Sequence, residues 1–108
     1  MASKENRYTY RIEWSSEDGA FIARCAEFPG LGAHGKTQEE ALAQARIAVA
    51  GMVEWLRDEG KEVPVPLGEK KYRGHISLRI PPDVHRAMAI QAAEQNVSLN
   101  QLILSKLT

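Results

Sequence analysis

The side chains best suited to recognition chemistry lie in a short segment where hydrogen-bonding and apolar residues alternate. Hydrogen-bonding groups occupy every second position: His75, Ser77 and Arg79. Apolar residues occupy the positions between them: Ile76, Leu78 and Ile80. Because side chains alternate across an extended strand, we expect one face with an imidazole, a hydroxyl and a guanidinium group, and an opposite face that is apolar. Such a strand can present polar groups outward while its other side packs against helices.

This strand needs a partner that the rest of the chain cannot supply. Pro81 and Pro82 end it and favour a first helical turn. Two short helices are predicted next, one that stops at Asn96 and one that begins after Ser98. Since nothing later can pair with the strand, we expect the same strand of a second copy to do so. The predicted dimer core shares apolar character and contains Ile76, Leu78, Ile80, Val84, Leu99, Leu102 and Ile103.

Two antiparallel copies of the strand would form a ribbon. A two-stranded ribbon fits the major groove of B-form DNA, where an arginine can bond both guanine acceptors and a hydroxyl can donate or accept. The predicted base-reading residues are therefore those of the outward face: His75, Ser77 and Arg79.

Charge is divided unevenly along the chain, although its formal net charge is zero. Residues 1–68 carry 8 Lys or Arg and 11 Asp or Glu, a net of −3, whereas residues 69–108 carry 6 and 3, a net of +3. The basic half is the better candidate for binding an anionic polymer, and the acidic half for a different partner. A basic cluster at the junction is either a solvated linker or an arm that touches phosphate: Lys70, Lys71 and Arg73.

Composition favours a cytosolic protein. Cys25 is the only cysteine, so an intrachain disulfide is excluded and a reducing compartment is expected. The chain has no apolar run approaching the roughly 18 residues of a membrane span. Its amino terminus has no apolar segment behind its charges, so we expect no secretory signal, no membrane partner and a cytoplasmic location.

The first 66 residues predict a small β-β-β-α-β layer. Alternating residues from Tyr8 to Trp14 and from Phe21 to Cys25 predict a hairpin, and a third strand is expected around Leu31 to Gly35. Thr37 caps a long amphipathic helix that stops at Gly60. Residues 63–66 are predicted as an edge strand, because their prolines lack ladder donors. The fold class is therefore α+β, with one helix on a sheet.

Aromatic residues of this half have two expected roles. Tyr8, Tyr10 and Trp14 share one face of the first strand, and we expect them to pack under the helix rather than to stack on RNA, since no basic residues cluster beside them. Trp55 lies off the main apolar stripe of the helix and is the aromatic residue to consider for an interface.

Catalysis and metal binding are not expected. Metal-assisted phosphodiester cleavage needs several convergent carboxylates, whereas Glu13 is the only acid of the first strand. His34, His75 and His85 are far apart, with no Cys or carboxylate at ligand spacing. We therefore predict a protein that is not an enzyme and has no cofactor, metal or small-molecule substrate.

Residues 74–108, a strand followed by two helices, resemble a ribbon-helix-helix DNA-binding domain of the Arc/MetJ type. The resemblance implies that His75, Ser77 and Arg79 read bases. It also implies that the start of the second helix grips phosphate through Ser98, Leu99 and Asn100, and free backbone N–H groups at a helix start do attract anions. The reading face differs from the commonest versions, since it offers neither Asn nor Gln.

The amino-terminal half resembles the first domain of HicB antitoxins. The resemblance is carried by the Tyr8–Trp14 strand, the Asp18-Gly19 turn and three further segments: Glu27-Phe28-Pro29-Gly30-Leu31, Ala33-His34-Gly35-Lys36-Thr37 and Glu39-Glu40-Ala41-Leu42. It implies a partly built ribonuclease-H-like domain over residues 1–67 that covers the RNA-cleaving toxin HicA, and a basic linker over 68–73. It further implies a domain at 74–108 that dimerises and binds the operator of the pair's own operon, which it represses.

Two functions remain open from the sequence. One is this antitoxin and autoregulatory repressor. The net charge of −3 on residues 1–68 would suit a basic toxin as its partner. The other is a dimeric ribbon-helix-helix regulator whose first domain serves oligomerisation or ligand sensing, with no toxin. The sequence does not decide between a dimer and a tetramer. Candidate toxin contacts are Glu17, Asp18, Glu27, Phe28, Pro29 and Leu31.

Overall fold

A computed structural model describes residues 4–108, which fold as two compact units. The first unit ends at Tyr72 and the second begins at Arg73, within the segment 68–73 predicted as a linker. The described elements of the first unit are α1 (Lys4–Arg7), β1 (Tyr10–Ser15), β2 (Ala20–Cys25), β3 (Phe28–Gly35), α2 (Gln38–Asp58) and a 3-10 turn at Leu67–Glu69. Those of the second are α3 (Pro82–Glu94) and α4 (Leu99–Leu107).

The described strands form one antiparallel sheet in the order β1-β2-β3. Tyr10 lies opposite Cys25 and Ser15 opposite Ala20, which confirms the predicted hairpin. Gly19 closes its turn at φ 61°, a left-handed conformation that costs glycine little. The β2–β3 register shifts beside Cys25, so the chain bends sharply into β3.

Local signals set both ends of α2. The Thr37 hydroxyl accepts a hydrogen bond from the Glu40 amide at 3.0 Å, which confirms the predicted cap. At the other end, the amide of Gly60 donates to the Arg57 carbonyl and the amide of Lys61 to the Leu56 carbonyl. With Gly60 at φ 67°, these bonds form a Schellman motif, so the predicted glycine stop is confirmed.

The helix α2 covers one face of the sheet through small residues near its start and larger ones further along. Three alanines share a buried cluster: Ala23, Ala41 and Ala45. The larger cluster contains Tyr8, Cys25, Phe28, Val49 and Val53. Near the start of α2, where the buried residues are alanines, helix and sheet approach so closely that a Cβ atom on Gly35 would overlap the backbone of Ala41. The α+β class predicted for this half is confirmed.

The predicted fourth strand is wrong. Among the described residues, 63–66 have no ladder hydrogen bonds, and the sheet has three strands. Pro64 and Pro66 have no N–H to donate, so the segment is held by other groups. The Tyr8 hydroxyl donates to the Pro64 carbonyl at 2.7 Å, and Pro66 is buried.

Trp14 also departs from expectation. Tyr8 and Tyr10 pack against the core as predicted, but Trp14 remains 55% exposed. It lies opposite Phe21 near the hairpin turn, and the two rings meet edge-on at 5.1 Å. A cross-strand aromatic pair therefore replaces the expected contact with the helix.

The second unit contains the two predicted helices. Asn96 adopts φ 57°, and the amides of Asn96 and Val97 donate to the carbonyls of Ala93 and Ala92, so the predicted left-handed stop of α3 is confirmed. Ser98 begins α4 with a complete capping box. Residues 75–80, which precede α3, lie outside regular secondary structure in the single chain.

We predict that Gly35→Ala destabilises the first unit by about 1–3 kcal/mol, because the added methyl group overlaps backbone that cannot turn aside. Urea unfolding followed by circular dichroism measures the change. Gly30→Ala is the matched control, since a methyl group there meets open space. Equal midpoints for the two variants would contradict the close approach of α2 to β3.

Candidate functional site

The predicted base-reading residues lie on an exposed, irregular segment. His75, Ser77 and Arg79 are all exposed, and Gly74 precedes them at φ 74°. The apolar residues between them are exposed as well, Ile76 by 83% and Leu78 by 70%. A single chain therefore leaves both sides of this segment open, and its apolar row has nothing to cover it.

The seven predicted dimer-core residues differ in burial. Leu102 is buried, whereas three others are half-buried: Ile80, Leu99 and Ile103. The remaining three are exposed: Ile76, Leu78 and Val84. Within the described second unit, Leu102 and Ala92 are the buried apolar residues, which is a very small interior. The pairing of two copies stays a prediction, and six of the seven residues assigned to it keep exposed surface in the single chain.

The predicted phosphate-binding residues lie at the start of α4, where a capping box orders the first turn. The Ser98 hydroxyl accepts from the Gln101 amide at 3.0 Å, and the Ser98 amide donates to Gln101 Oε1 at 2.8 Å. The amides of Leu99 and Asn100 take no part in this capping box. No acidic residue lies in the first turn of α4, so its positive end is not neutralised by the helix's own side chains.

The basic cluster at the junction is fully accessible. Lys70, Lys71 and Arg73 are exposed, and none of them forms an ion pair within residues 4–108. Lys70 and Lys71 belong to the first unit and Arg73 to the second. The neighbouring Tyr72 donates its hydroxyl to the Leu67 carbonyl at 2.9 Å.

The predicted toxin contacts in the turn and in the bend lie at opposite ends of β2. Glu17 and Asp18 occupy the turn before β2, whereas Glu27, Phe28 and Pro29 follow β2. This strand has six residues, so the two groups are separated by about 20 Å. Residues within the turn are close together, as are those that follow β2, but the turn residues are far from the residues that follow β2.

Several of these residues are engaged inside the first unit. Phe28 is 9% exposed and meets Tyr8 edge-on, with 5.2 Å between the ring centres. Leu31 is half-buried against the same cluster. Asp18 accepts from the Ser15 hydroxyl at 3.0 Å, while Pro29 is exposed. Of this group, Pro29 and the turn carboxylates have the most accessible surface.

Glu27 has a structural role that its sequence position does not reveal. Its carboxylate accepts hydrogen bonds from the Thr9 amide at 2.9 Å, the Thr9 hydroxyl at 3.1 Å and the Leu67 amide at 2.8 Å. The Cys25 thiol approaches it at 3.4 Å. One side chain thus joins the segment before β1, the β2–β3 bend and the chain that leaves α2. We call this arrangement the Glu27 clasp.

The protonation states of the clasp follow from burial and these bonds. Burial by itself would raise the pKa of Glu27, but the amides of Leu67 and Thr9 outweigh it and hold the pKa below its ordinary value of 4.5. Burial raises the pKa of the Cys25 thiol, which favours its neutral, donating form. Burial likewise raises the pKa of Tyr10 to about 12, and its hydroxyl donates to the Glu5 carbonyl at 2.6 Å.

A second feature is the outer face of α2, where the sequence singled out Trp55 but not Ile47 or Gly51. Ile47 is 64% exposed and Trp55 48%, with exposed Gly51 halfway between them. The Lys61 ammonium lies 4.6 Å from the ring centre of Trp55. The four-residue spacing of 47, 51 and 55 indicates that these positions share one face of the helix. This pattern is weaker than that of the apolar stripe that faces the sheet.

Two further findings concern the whole described region. Nowhere in residues 4–108 do three or more His, Cys, Asp or Glu side chains come together in a way that could hold a metal ion. The same residues include no helix with the length and hydropathy needed to cross a membrane.

We predict that Glu27→Gln lowers the free energy of unfolding by about 1–3 kcal/mol at pH 7, because an amide cannot accept all the bonds of the carboxylate. The pKa of Glu27 is lower in the folded state, so its contribution is present above pH 4.5 and is lost as pH falls through the folded value. The difference between wild type and variant should therefore shrink in acid.

Urea unfolding at pH 7 and at successively lower pH measures this difference. Glu17→Gln is the matched control, since Glu17 is an exposed carboxylate in the β1–β2 turn. Equal effects of the two substitutions at pH 7 would contradict the clasp.

Comparison with known proteins gives one family and one solved structure. No curated protein matches the chain. The structure of the antitoxin HicB from Burkholderia pseudomallei aligns with 93% of this chain and 93% of its own, at 18% identity and a TM-score of 0.49. The model of the HicB family matches residues 54–107, which is half of the chain and includes the end of α2 and the described second unit. The chain therefore belongs to the HicB family.

Proposed function

We propose that this protein is the antitoxin of a toxin–antitoxin pair. Residues 1–67 bind and neutralise a HicA-type mRNA-cleaving toxin. Residues 74–108 dimerise as a ribbon-helix-helix domain that binds operator DNA and represses the pair's own operon. The observation that carries the proposal is the uncovered apolar row of the second unit, Ile76 and Leu78, which alternates with three exposed hydrogen-bonding residues.

The apolar row supports dimerisation. Fully burying a side chain such as Ile76 or Leu78 contributes about 1.5–3 kcal/mol, and a chain on its own leaves both exposed. Antiparallel pairing with a second copy would cover both rows under the four helices and satisfy the open backbone groups of each strand. The half-buried Leu99 and Ile103 would complete this interior.

Exposed polar groups of the second unit support DNA binding. In the paired ribbon, His75, Ser77 and Arg79 would face the major groove, where Arg79 can bond both guanine acceptors. The free amides of Leu99 and Asn100 at the start of α4 suit a backbone phosphate. Lys70, Lys71 and Arg73 would add phosphate contacts from the junction, consistent with the +3 charge of residues 69–108.

Charge supports a basic protein as the partner of the first unit. A toxin that holds RNA must present positive charge to the phosphate backbone. Residues 1–68 carry a net charge of −3, so their surface attracts such a protein and competes with its RNA. The antitoxin then acts by covering the toxin in the cytoplasm, with no catalytic step of its own.

Co-expression with the product of the adjacent reading frame tests this function. We expect a small basic protein that is toxic alone, is tolerated together with this chain and elutes with it in gel filtration. If the two proteins elute separately and the neighbour is not toxic, the antitoxin function fails. A dimeric regulator without a toxin would then be the remaining function.

We predict that Leu78→Lys abolishes the dimer, because it places a charge in the apolar centre of the ribbon. The first unit should still fold, since it has its own core. Sedimentation equilibrium should give a monomer, while circular dichroism should show that the first unit remains folded. A persistent dimer would disprove the pairing.

Arg79→Ala is the matched control for this substitution, because it changes the outward face of the same strand. It should leave the dimer intact and weaken specific DNA binding by about 1–3 kcal/mol. Unchanged operator affinity in a fluorescence anisotropy titration would remove Arg79 from the base-reading residues.

A further inference from the structure

The outer face of α2 contains apolar side chains that the fold does not use. Positions 47, 51 and 55 are four residues apart and lie along one side of the helix. The opposite side of α2 packs on the sheet through Ala41, Ala45, Val49 and Val53. Ile47 and Trp55 point away from that contact, and both remain about half exposed or more. Their exposure therefore has no structural explanation within the first unit.

Gly51 gives this face its shape. A Cβ atom at Gly51 would meet nothing within 4 Å, so the helix has a gap between the two large side chains. Glycine in a helix interior costs about 1 kcal/mol relative to alanine. The Lys61 ammonium lies over the Trp55 ring, which stands beside this gap. Large anchors next to a recess are the usual form of an interface centre.

Acidic residues surround these anchors. Glu40, Glu54 and Asp58 recur at helical spacing on the same side of α2, and all three are exposed. The arginines of the helix, Arg46 and Arg57, lie at least about a third of a turn away from the centre of this face by the same periodicity. An apolar centre whose rim carries three carboxylates against the Lys61 ammonium complements a basic protein surface.

A second copy of this chain is a poorer occupant. Antiparallel contact of two α2 helices through this face would bring Glu40 of one chain near Asp58 of the other, and parallel contact would bring identical carboxylates together. Like charges across an interface oppose association. The charge pattern thus favours a partner of opposite sign over self-association.

We propose that the outer face of α2, formed by Ile47, Gly51 and Trp55 within the rim of Glu40, Glu54 and Asp58, is the surface on which the basic toxin docks. This inference rests on the proposed function and identifies the surface through which the antitoxin contacts the toxin. This surface is continuous along one helix, whereas the turn and bend residues lie at opposite ends of β2.

The test measures binding of the full-length chain to the purified, catalytically inactivated product of the adjacent reading frame by isothermal titration calorimetry. Trp55→Ala should weaken binding at least tenfold. Trp14→Ala is the matched control, because Trp14 is similarly exposed but packs on the sheet beside Phe21, and it should leave the affinity unchanged.

Gly51→Leu separates docking from stability. Leucine is the better helix former, so this variant should unfold at equal or higher urea concentration than the wild type, yet it fills the gap and should weaken binding at least tenfold. If poor folding were the cause, the urea midpoint and the affinity of this variant would both fall. Glu54→Lys should also weaken binding, by a factor that decreases as salt is raised.

The outcomes distinguish the two levels of the proposal. If the wild type binds and the α2 variants bind equally well, the docking surface is overturned while the antitoxin function stands. If the wild type does not bind, the proposed function itself fails. If Trp55→Ala changes the oligomeric state but not the affinity for the partner, the face joins copies of this chain and the inference is wrong.

Discussion

A shortage of interior in the second unit is the constraint on which the organisation of the chain depends. Two short helices and a short extended segment cannot enclose a core, and within the described residues they bury little more than Leu102 and Ala92. The apolar residues of the extended segment, above all Ile76 and Leu78, are left in solvent. Exposed apolar residues that lie together in this way commonly mark an interaction surface. The polar residues that alternate with them, His75, Ser77 and Arg79, are exposed as well.

The first unit solves the corresponding problem within one chain. Its helix lies so close to the sheet that Gly35 faces the Ala41 backbone directly, and larger side chains fill the space further along α2. The Glu27 clasp then holds the chain on either side of this core, from Thr9 before β1 to Leu67 after α2. Ion pairing of Arg7 with Glu69 and the bond from Tyr8 to the Pro64 carbonyl restrain the same segment. A charged group bonded to backbone amides is a strong constraint, because losing it leaves the amides of Thr9 and Leu67 without this acceptor.

Much of the fold was predictable because its signals are local. The caps at Thr37 and Ser98 and the left-handed stops at Gly60 and Asn96 each depend on a few neighbouring residues, and each is confirmed. The expected edge strand at 63–66 is wrong because alternation is a weak signal where prolines remove the donors of a ladder. Trp14 has the predicted strand parity, but only the register shows that it meets Phe21 at the end of the sheet instead of α2.

The candidate sites divide in the same way. The sequence by itself determined which residues alternate over 75–80, where the helices begin and end, and that one half is acidic and the other basic, since these depend on residue order alone. Only the tertiary structure decided that Glu27 is held by residues distant in sequence, that the turn and bend residues lie at opposite ends of β2, and that Ile47 and Trp55 face solvent. Periodicity shows which residues share a helix face, but burial depends on what packs against it. That is set by contacts between segments far apart in the chain.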